Sequence, residues 1–572
     1  MHVDKEVFNV NIGVMKQKYL WLIHTSMMTL LLFAGCSKEE GIDPGGDKPD
    51  PGSEPGWSIP TYADDYSAIA SWSNRGKWNL ANVHDPSVAF YNGYYYMYGT
   101  DASYGNEHEG HGHFQGKRST DLVNWNWVGG PFYDAPSWVA DSLNAIRTRM
   151  GLVPIAKEQI NYGYWAPVVR RVNVGGKEIL RMYYSIIIDN YIKTGKANTS
   201  ANFDGSWTER AFIGMCESTD PAGAVWSDKG FVTTSSSDRD LNYNRSSLSS
   251  WDAYFYYNAI DPAYIVAPDG KHYLIYGSWH SGIALLQVDA ATGKPRNKQG
   301  EPYANSASEL TARYGVRIGT RTASSRWQGS EAPEIIYKDG YYYLFLAYDG
   351  LDVPYNTRVV RSQNIEGPYL DITGRNFTNG RGDTYPIVTH PYKFNLSPGW
   401  VGISHCTVFK KENSNDWFYM SQGRLPANVG GNPYSNAIMM GHVRRIVWCP
   451  ASPDEPDNLW PIALPQRYAA VPDYGAITKD SLVGTWEHIK LEYTYGQQNR
   501  ATALTLHANG TLSGALTGSW SYNQAKKQLT LGNVIVCVER EADWEANPRR
   551  ATIVYAGTEK NLNATYWGKK TK

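Results

Sequence analysis

The chain has 572 residues, and its 54 lysines and arginines are balanced by 55 aspartates and glutamates. A net charge this close to zero gives no electrostatic basis for binding nucleic acid or another polyanion. Charged residues make up only 19% of the sequence, whereas tyrosine occurs 42 times, tryptophan 21 times and glycine 54 times. Aromatic strands joined by glycine-rich turns are typical of all-β proteins. We expect most of the tyrosines to pack between sheets, and exposed rings could also stack on sugars.

The N-terminus has the pattern of a bacterial lipoprotein signal. The stretch MKQKYLWLIHTSMMTLLLFAGC, which ends at Cys36, places two lysines before an apolar run and small residues directly before the cysteine. We predict that translation starts at Met15, that the signal is cleaved before Cys36, and that Cys36 is lipidated. The apolar run is short for a membrane-spanning helix. An ordinary signal peptide and a membrane anchor are the alternatives.

We therefore assign residues 1–36 to the signal and residues 37–58 to a flexible linker rich in glycine, proline and aspartate. A linker of this composition would hold a folded domain away from a lipid anchor. The predicted location is the bacterial outer membrane, at the cell surface, with its periplasmic face as the alternative. Apart from the N-terminal lipid anchor, we expect no contact with a membrane.

Five strand pairs of similar sequence recur in a domain predicted to span residues 59–475. They begin near Asp85, Trp165, Asp261, Glu331 and His405. Each pair has a polar or aromatic opening residue, an apolar run, a turn, and a strand rich in tyrosine or phenylalanine. This repetition, with no convincing long amphipathic helix, predicts a five-bladed β-propeller. A β-sandwich with the same turns is the alternative.

Long insertions between the repeats are expected to form loops that block or extend a cleft. They cover residues 133–163, 188–210 and 228–256. The stretch GNEHEGHGHFQG, with His108, His111 and His113, is rich in potential metal ligands. It lacks the spacing of a zinc motif, and its glycines argue against a helix. We predict a loop at the cleft rim.

Residues 480–572 form a run of short alternating strands, in which Asn509-Gly510 is a strong hairpin signal. We predict a separate small β-barrel with no catalytic set of its own. The four cysteines after the signal are spread too widely for a close metal-binding pair, and their spacing leaves every disulfide pairing open. They are Cys216, Cys406, Cys449 and Cys537.

Three of the five opening residues, Asp85, Asp261 and Glu331, are acidic and stand in equivalent register in their repeats. In a propeller the innermost strand of each blade follows the central channel, so these side chains should meet at one mouth. Glycoside hydrolysis with inversion needs a carboxylic acid and a carboxylate roughly 6.5–9.5 Å apart, with a water molecule between. A third carboxylate would raise the pKa of the acid and keep it protonated.

The set of five openers resembles that of glycoside hydrolase family 43, and most closely the endo-α-1,5-L-arabinanases. The resemblance rests on Asp85-Pro86, Trp165-Ala166-Pro167, Asp261-Pro262, Glu331-Ala332-Pro333 and His405, in this order. The stretch GSWHSGIALLQVD and the closing segment from HVRRIVW to LWPIALPQRY also match. It covers roughly residues 75 to 475, and the C-terminal module resembles the barrel of two-domain bacterial arabinanases.

The resemblance implies a role for each acidic opener. Asp85 would be the general base that activates water, Glu331 the general acid, and Asp261 the residue that adjusts the pKa of the acid and orients it. Glu334 is a rival acid three residues further along the same strand. Because side chains alternate along a strand, Glu331 and Glu334 should face opposite sides, and only Glu331 is an opener.

His405 matches the histidine that helps to hold a calcium ion near the channel centre of arabinanases, mostly through water. Calcium prefers many oxygen ligands, so water would dominate such a site. The ion would support the charge state of the carboxylates. A core histidine with ordinary hydrogen bonds is the alternative.

Substrate binding is predicted at two places. Trp165 is a candidate platform for stacking on a sugar ring, with packing within its blade as the alternative. Ser278, Trp279, His280 and Ser281 fall where the family has a Ser-Phe-Trp-Ser type of stretch. The order of the aromatic residues is changed here, which weakens the case for stacking by Trp279.

Together these features predict an inverting enzyme that cleaves internal bonds of arabinan, the side chain of plant pectin, and that acts as a monomer. An exo-acting arabinofuranosidase or β-xylosidase of the same family is one alternative. Another is a non-catalytic, glycan-binding surface lipoprotein, which should lack at least one of the three carboxylates.

Overall fold

The computed structural model describes residues 69, 71–101, 111–149, 153–188, 210–237, 255–279, 282–297, 307–321, 328–380, 382–427, 429 and 439–572. The predicted signal and linker, including Cys36, lie outside the described residues. Within the described residues, no helix is both long and apolar enough to cross a membrane.

Five antiparallel sheets of four strands each form the body of the described chain, and in every sheet the strands follow in chain order. Blades 1 and 2 consist of β1 (Ser87–Tyr91), β2 (Tyr94–Tyr98), β3 (Gly116–Ser119), β4 (Asn126–Gly129), β5 (Tyr162–Val174), β6 (Lys177–Ile188), β7 (Arg210–Asp220) and β8 (Val225–Thr234). Blades 3 and 4 consist of β11 (Ala263–Val266), β12 (His272–Tyr276), β13 (Ile283–Val288), β14 (Val316–Gly319), β15 (Ser330–Lys338), β16 (Tyr341–Tyr348), β17 (Asn356–Ser362) and β18 (Ile387–Thr389). Blade 5 consists of β20 (Thr407–Lys410), β21 (Trp417–Gly423), β22 (Met440–Pro450) and β23 (Leu459–Ala463).

The first strands of the five blades make the closed ring of a propeller. β1 contacts β5, β5 contacts β11, β11 contacts β15, β15 contacts β20, and β20 contacts β1. The segment before β1 also pairs with blade 5, because Ala81 forms a β-bridge with Met440 at the start of β22. This bridge helps to close the ring. The predicted five-bladed propeller is confirmed, and the sandwich alternative was wrong. The starts of the inner strands therefore lie around one channel, as expected.

The β1–β2 hairpin shows how the sequence sets this geometry. Asn92 and Gly93 both have positive φ, 46° and 83°, which is the turn geometry that suits a two-residue hairpin. The turn fixes a register in which Ser87 pairs with Tyr98. Thr100, two residues beyond β2, therefore returns to the mouth of the channel beside the opener of its own blade.

One insertion contains a helix that the sequence reading did not predict. α1 (Ser137–Arg149) buries Val139, Leu143 and Ile146 against blades 1 and 2. These positions recur at helical spacing, but the strand repeats on either side dominated the sequence pattern. Two shorter helices are α2 (Ala307–Tyr314) and α3 (Lys479–Leu482). A small two-stranded sheet pairs β9 (Ser236–Ser237) with β10 (Phe255–Tyr257).

The C-terminal strands form a closed eight-stranded barrel, which confirms the predicted fold of this region. Its strands are β24 (Gly484–Leu491), β26 (Thr502–Leu506), β27 (Thr511–Gly514), β28 (Gly518–Asn523), β29 (Gln528–Leu531), β30 (Val534–Asp543), β31 (Arg550–Glu559) and β32 (Ala564–Lys570). A separate parallel pair joins β19 (Tyr392–Lys393) of the propeller region to β25 (Asn499–Arg500). Propeller and barrel share one apolar core, in which Trp400 and Val443 cluster with Ile489 and Trp567.

Candidate active site

Each inner strand is preceded or interrupted by one residue with a left-handed backbone. These residues and their φ angles are Asp85 (48°), Ala166 (40°), Asp261 (53°), Ala332 (53°) and His405 (53°). A residue other than glycine in this region costs on the order of 1–3 kcal/mol, and such strain concentrates at functional sites. Four of the five precede a proline, where an extended backbone is normal. The fold therefore holds the same strained bend at the mouth of every blade.

The common bend corrects the predicted register of the acidic openers. Asp85 and Asp261 occupy the bend themselves, but in blade 4 the bend is at Ala332. Glu331 therefore stands one residue earlier than its two acidic counterparts. The sequence comparison aligned the openers by their acidic side chains, whereas the residue before the proline marks the structural equivalence. A longer side chain approaches the channel from this earlier position.

The amide groups at the bends bond to side chains of the preceding blade. The amide of Asp85 donates to Oε1 of Gln422 at 2.5 Å. The amide of Ala166 donates to Oγ1 of Thr100 at 2.6 Å, and the amide of Ala332 donates to Oδ2 of Asp261 at 3.2 Å. Because each of these bonds crosses from one blade to the next, it fixes both the bend and the spacing of the inner strands.

Asp85 is 8% exposed and surrounded by hydrogen-bond donors. Oδ1 lies 2.8 Å from Nδ1 of His405, and Oδ2 lies 2.8 Å from Nδ1 of His84. The hydroxyl of Thr100 donates to Oδ2 at 2.5 Å. Burial alone would raise the pKa of Asp85, but His405 and His84 outweigh it and hold that pKa well below its usual value. Asp85 is therefore an ionised carboxylate.

Asp261 has the opposite charge preference. It is 6% exposed, and burial raises its pKa to about 8, with the nearby Glu331 and Asp85 adding to the shift and His405 opposing it. Like charges that share one buried site cannot all ionise together. Since Asp261 also accepts from the amide of Ala332, its carboxyl lies directly beside the residue that follows Glu331.

Glu331 has two hydroxyl partners. Oε1 accepts from the hydroxyl of Tyr355 at 2.6 Å, and Oε2 accepts from the hydroxyl of Ser278 at 3.1 Å. Burial raises the pKa of Glu331, while these hydroxyls and His405 oppose that rise and Asp85 adds to it. The site thus holds one carboxyl with a lowered pKa, Asp85, and two with raised pKa values. General acid and general base catalysis need this difference.

His405 carries the positive charge of the cluster. Burial would lower its pKa, but Asp85, together with Asp261 and Glu331, raises it to about 9. Within the described residues, no three histidine, cysteine, aspartate or glutamate side chains are grouped as a metal site. Nδ1 of His405 already faces Asp85, so Nε2 could bind an ion only when the ring is neutral and its one proton is on Nδ1. The donor set fits calcium only if water supplies most of its ligands.

Glu334 has a different environment from Glu331. Its Oε1 bonds to Nη2 of Arg170 on β5, and it is 3% exposed. The four residues of β15 from Glu331 to Glu334 face the three residues of β16 from Ala347 to Phe345, because β15 has a bulge there. Burial raises the pKa of Glu334, whereas Arg170 lowers it. Its Arg170 partner gives Glu334 a structural role as a buried ion pair.

Of the predicted substrate-binding residues that the structure describes, Ser278 bonds to the carboxylate cluster, whereas Trp165 and Trp279 pack against other parts of the propeller. Trp165 is half-buried at the start of β5, packed against the core of blades 2 and 3. Ser278 contacts Glu331 and is 2% exposed. The ring of Trp279 covers Gly329, where a Cβ atom would lie 2.3 Å from the ring, so only glycine fits there. His280 and Ser281 lie outside the described residues.

The histidine-rich loop does not gather its described members into a metal site. His111 stacks on Trp72 with ring centroids 4.5 Å apart, and His113 stacks on Tyr164 at 3.4 Å. Nδ1 of His113 also bonds to Asp101 at 2.5 Å. His108 lies outside the described residues.

The four cysteines after the signal are all buried, and none of them forms a disulfide. They are Cys216, Cys406, Cys449 and Cys537.

Four residues of the cluster were missed by the sequence reading: His84, Thr100, Tyr355 and Gln422. His84 and Thr100 bound the first hairpin motif, so its register offered a signal for both. Gln422 closes the corresponding hairpin of blade 5. Tyr355 follows an irregular segment between β16 and β17, and we see no sequence pattern that could have placed it.

Comparison with known proteins agrees with this architecture. Residues 80–448 match the sequence model of Glycosyl hydrolases family 43, and residues 465–568 match that of a C-terminal lipocalin-like domain. The chain is 24% identical over 514 residues to an extracellular endo-alpha-(1->5)-L-arabinanase of Thermotoga petrophila, which covers 85% of this chain and 93% of that relative. It is 24% identical over 462 residues to extracellular endo-alpha-(1->5)-L-arabinanase 2 of Bacillus subtilis, with 77% and 82% covered. The crystal structure of the endo-1,5-alpha-L-arabinanase from Thermotoga petrophila has a TM-score of 0.61 to this chain at 21% identity, covering 86% of this chain and 99% of the other, and thus shares its fold.

Proposed function

Because the chain belongs to glycosyl hydrolase family 43, we propose that it is an inverting, endo-acting hydrolase of α-1,5-L-arabinan. One observation carries the proposal: Asp85 is held ionised in the same cluster in which Asp261 and Glu331 have raised pKa values. A cleft with one base and one acid can hydrolyse a glycoside in a single displacement. The intact set of carboxylates argues against a purely glycan-binding protein.

In the proposed reaction, Asp85 removes a proton from water as that water attacks the anomeric carbon. The two histidines and Thr100 fix the carboxylate. Oδ2 has two of these partners, whereas Oδ1 has His405 alone and keeps a lone pair for the water. Glu331 gives its proton to the glycosidic oxygen as the bond to the leaving sugar breaks. The charge of Asp85 favours the protonated form of Glu331, and Asp261 orients this acid by holding the bend at Ala332; an influence of Asp261 on the pKa of the acid is part of the proposal.

The substrate follows from the named relatives. The two relatives described above carry the name endo-arabinanase and match most of this chain, which supports arabinan over the substrates of other activities in the family. Both are named extracellular, which supports a secreted or surface enzyme. Lipidation of Cys36, outer-membrane attachment and a monomeric state remain predictions from the sequence.

The products of linear α-1,5-arabinan test the mode of cleavage. Because an endo enzyme cuts inside the chain, we expect short arabino-oligosaccharides and a rapid loss of viscosity at an early stage of the reaction. Chromatography of the products over time, with viscometry alongside, measures both. Release of arabinose alone, at nearly constant viscosity, would contradict endo action and favour the exo-acting alternative.

A calcium ion held by Nε2 of His405 and by water is part of the proposal. When bound, the ion would supply positive charge that offsets repulsion among the carboxylates. Treatment with a chelator should then lower both turnover and the melting temperature, and added calcium should restore them. In a His405→Gln variant the melting temperature should no longer respond to calcium. An unchanged melting temperature in the wild-type protein after chelation would rule out a stabilising ion.

A further inference from the structure

The loop between β16 and β17 contacts Glu331 at one end and a residue of the C-terminal barrel region at the other. Tyr355, which donates to Glu331 at 2.6 Å, is 1% exposed and lies at the end of the segment between β16 and β17. The same segment begins at Asp349, which is also 1% exposed. Oδ2 of Asp349 accepts from Nδ2 of Asn356 at 3.2 Å, which ties the two ends of the segment together next to Tyr355.

The second support of Glu331 is the chain just before β15. The amide of Asp349 donates to the carbonyl oxygen of Gly329 at 3.1 Å. Nη1 of Arg321 donates to the same carbonyl at 3.0 Å and to Oδ1 of Asp349 at 2.5 Å. Arg321 and Asp349 are 2% and 1% exposed, so this ion pair is shielded from water. The backbone two residues before Glu331 is thus fixed by the same group that anchors the Tyr355 loop.

A single side chain from the barrel region bonds to both members of the ion pair in this support, Asp349 and Arg321. Tyr493 follows β24 on the segment that leads to β25, and β25 pairs with β19 of the propeller region. The hydroxyl of Tyr493 donates to Oδ2 of Asp349 at 2.9 Å. The same hydroxyl accepts from Nε2 of Gln328 at 3.0 Å and from Nη2 of Arg321 at 3.3 Å.

Other contacts keep the Tyr493 ring at this place. Arg358, a fully buried residue of blade 4, lies 5.0 Å from the centre of the ring. The next residue, Thr494, donates its amide to Nε2 of the buried His390 at 3.3 Å. A segment held on several sides in this way can transmit the position of the barrel to the propeller, because little freedom remains between them.

We propose that Tyr493 is a positioning residue, through which the C-terminal barrel fixes the carboxyl group of Glu331 for proton donation. It acts along two short routes, one through Asp349 to Tyr355 and one through Gln328 and Arg321 to the backbone before β15. The inference rests on the proposed role of Glu331 as general acid. It assigns the barrel a part in the chemistry, since an acid displaced from the glycosidic oxygen transfers its proton slowly.

The test compares two substrates that differ in their need for an acid. The leaving group of linear α-1,5-arabinan is a sugar alkoxide, which must be protonated. An arabino-oligosaccharide with a dinitrophenyl aglycone releases dinitrophenolate, which leaves without protonation. In Tyr493→Phe, which keeps the ring and removes the hydroxyl, we expect kcat on arabinan to fall about 10-fold, with KM changed less than about 2-fold. Turnover of the dinitrophenyl substrate should stay within about 2-fold of the wild-type value.

Two further variants make the comparison specific. Tyr355→Phe removes the hydroxyl that touches Glu331 and should show the same substrate split with a larger loss. Tyr495→Phe is the matched control, because Tyr495 lies on the same segment and is 49% exposed, and it should behave as wild type on both substrates. Melting curves establish that each variant is folded, and Tyr355→Phe tests the same route if Tyr493→Phe does not fold.

The outcomes separate this inference from the proposed function. Wild-type turnover of arabinan by Tyr493→Phe, or equal losses on both substrates, would overturn the positioning role while leaving the enzyme's activity intact. Failure of the wild-type protein to cleave arabinan would overturn the proposed substrate instead. The ratio of the two substrates would then be measured with the glycan that it does cleave.

Discussion

Asp85→Asn is expected to lower kcat on linear arabinan by about 10³-fold or more, with little change in KM. An amide of the same shape cannot accept a proton from water, and loss of general base catalysis typically costs about 10²–10⁴-fold. Steady-state kinetics on arabinan measures the loss. Calorimetric titration with an arabino-oligosaccharide should show that the variant still binds substrate.

The role of Asp85 as the base also predicts how the wild-type rate depends on pH. Since the pKa of Asp85 is held well below its usual value, the base is ionised at every pH above that lowered value. The wild-type rate should therefore not decline through protonation of Asp85 until strongly acidic conditions are reached. Asp121→Asn is a matched control in the same blade, because Asp121 is not one of the three carboxylates of the cluster and bonds to its sequence neighbours Ser119, Val123 and Asn124. A variant Asp85→Asn that retains most of its turnover would exclude Asp85 as the base.

The fold and the three carboxylates could be predicted because both follow from a short sequence pattern that repeats along the chain. The openers, the apolar run and the turn lie within some twenty residues of one another, as in the stretch from His84 to Thr100. A hairpin register follows directly from such a turn. Once the repeats make a closed ring, the convergence of Asp85, Asp261 and Glu331 needs no further information.

Register within the openers was harder to predict, for a physical reason. The strained bend is a backbone property, and Ala166 and Ala332 mark it in blades 2 and 4 without any chemical side chain. An alignment by chemistry therefore shifted Glu331 by one residue. In Glu331-Ala332-Pro333 the proline was the better marker, because it follows the bend in four of the five blades.

Contacts between segments that are far apart in the chain could not be predicted, because no local sequence pattern marks them. Tyr355 meets Glu331 only because of the loop after β16, and Tyr493 meets Asp349 across 144 positions of the chain. Neither tyrosine stands out among 42 in the sequence. The same holds for α1, whose helical spacing is visible only when the neighbouring strands are already assigned.

Glu331→Gln is expected to lower kcat on arabinan by about 10²–10⁴-fold, because the amide cannot protonate the leaving oxygen. An arabino-oligosaccharide with a dinitrophenyl aglycone should retain most of its turnover, since its leaving group needs no proton. Burial raises the pKa of Glu331, and the acid acts only while protonated. In the wild-type enzyme, kcat/KM on arabinan should thus fall as pH rises through the raised pKa of Glu331, and this basic limb should vanish in the variant.

Glu334→Gln separates the acid from its rival on the same strand. Removing one partner of the buried Glu334–Arg170 pair leaves an arginine without its carboxylate, which typically costs about 3–5 kcal/mol in the free energy of unfolding. The melting temperature should fall, while turnover of arabinan and its basic limb persist at temperatures where the variant is folded. If Glu334→Gln instead lost the basic limb and Glu331→Gln kept it, the acid would be Glu334. Glu331 is half-buried and bonded to two neutral hydroxyls, so its proton can pass to the substrate, whereas Oε1 of Glu334 is bonded to Arg170.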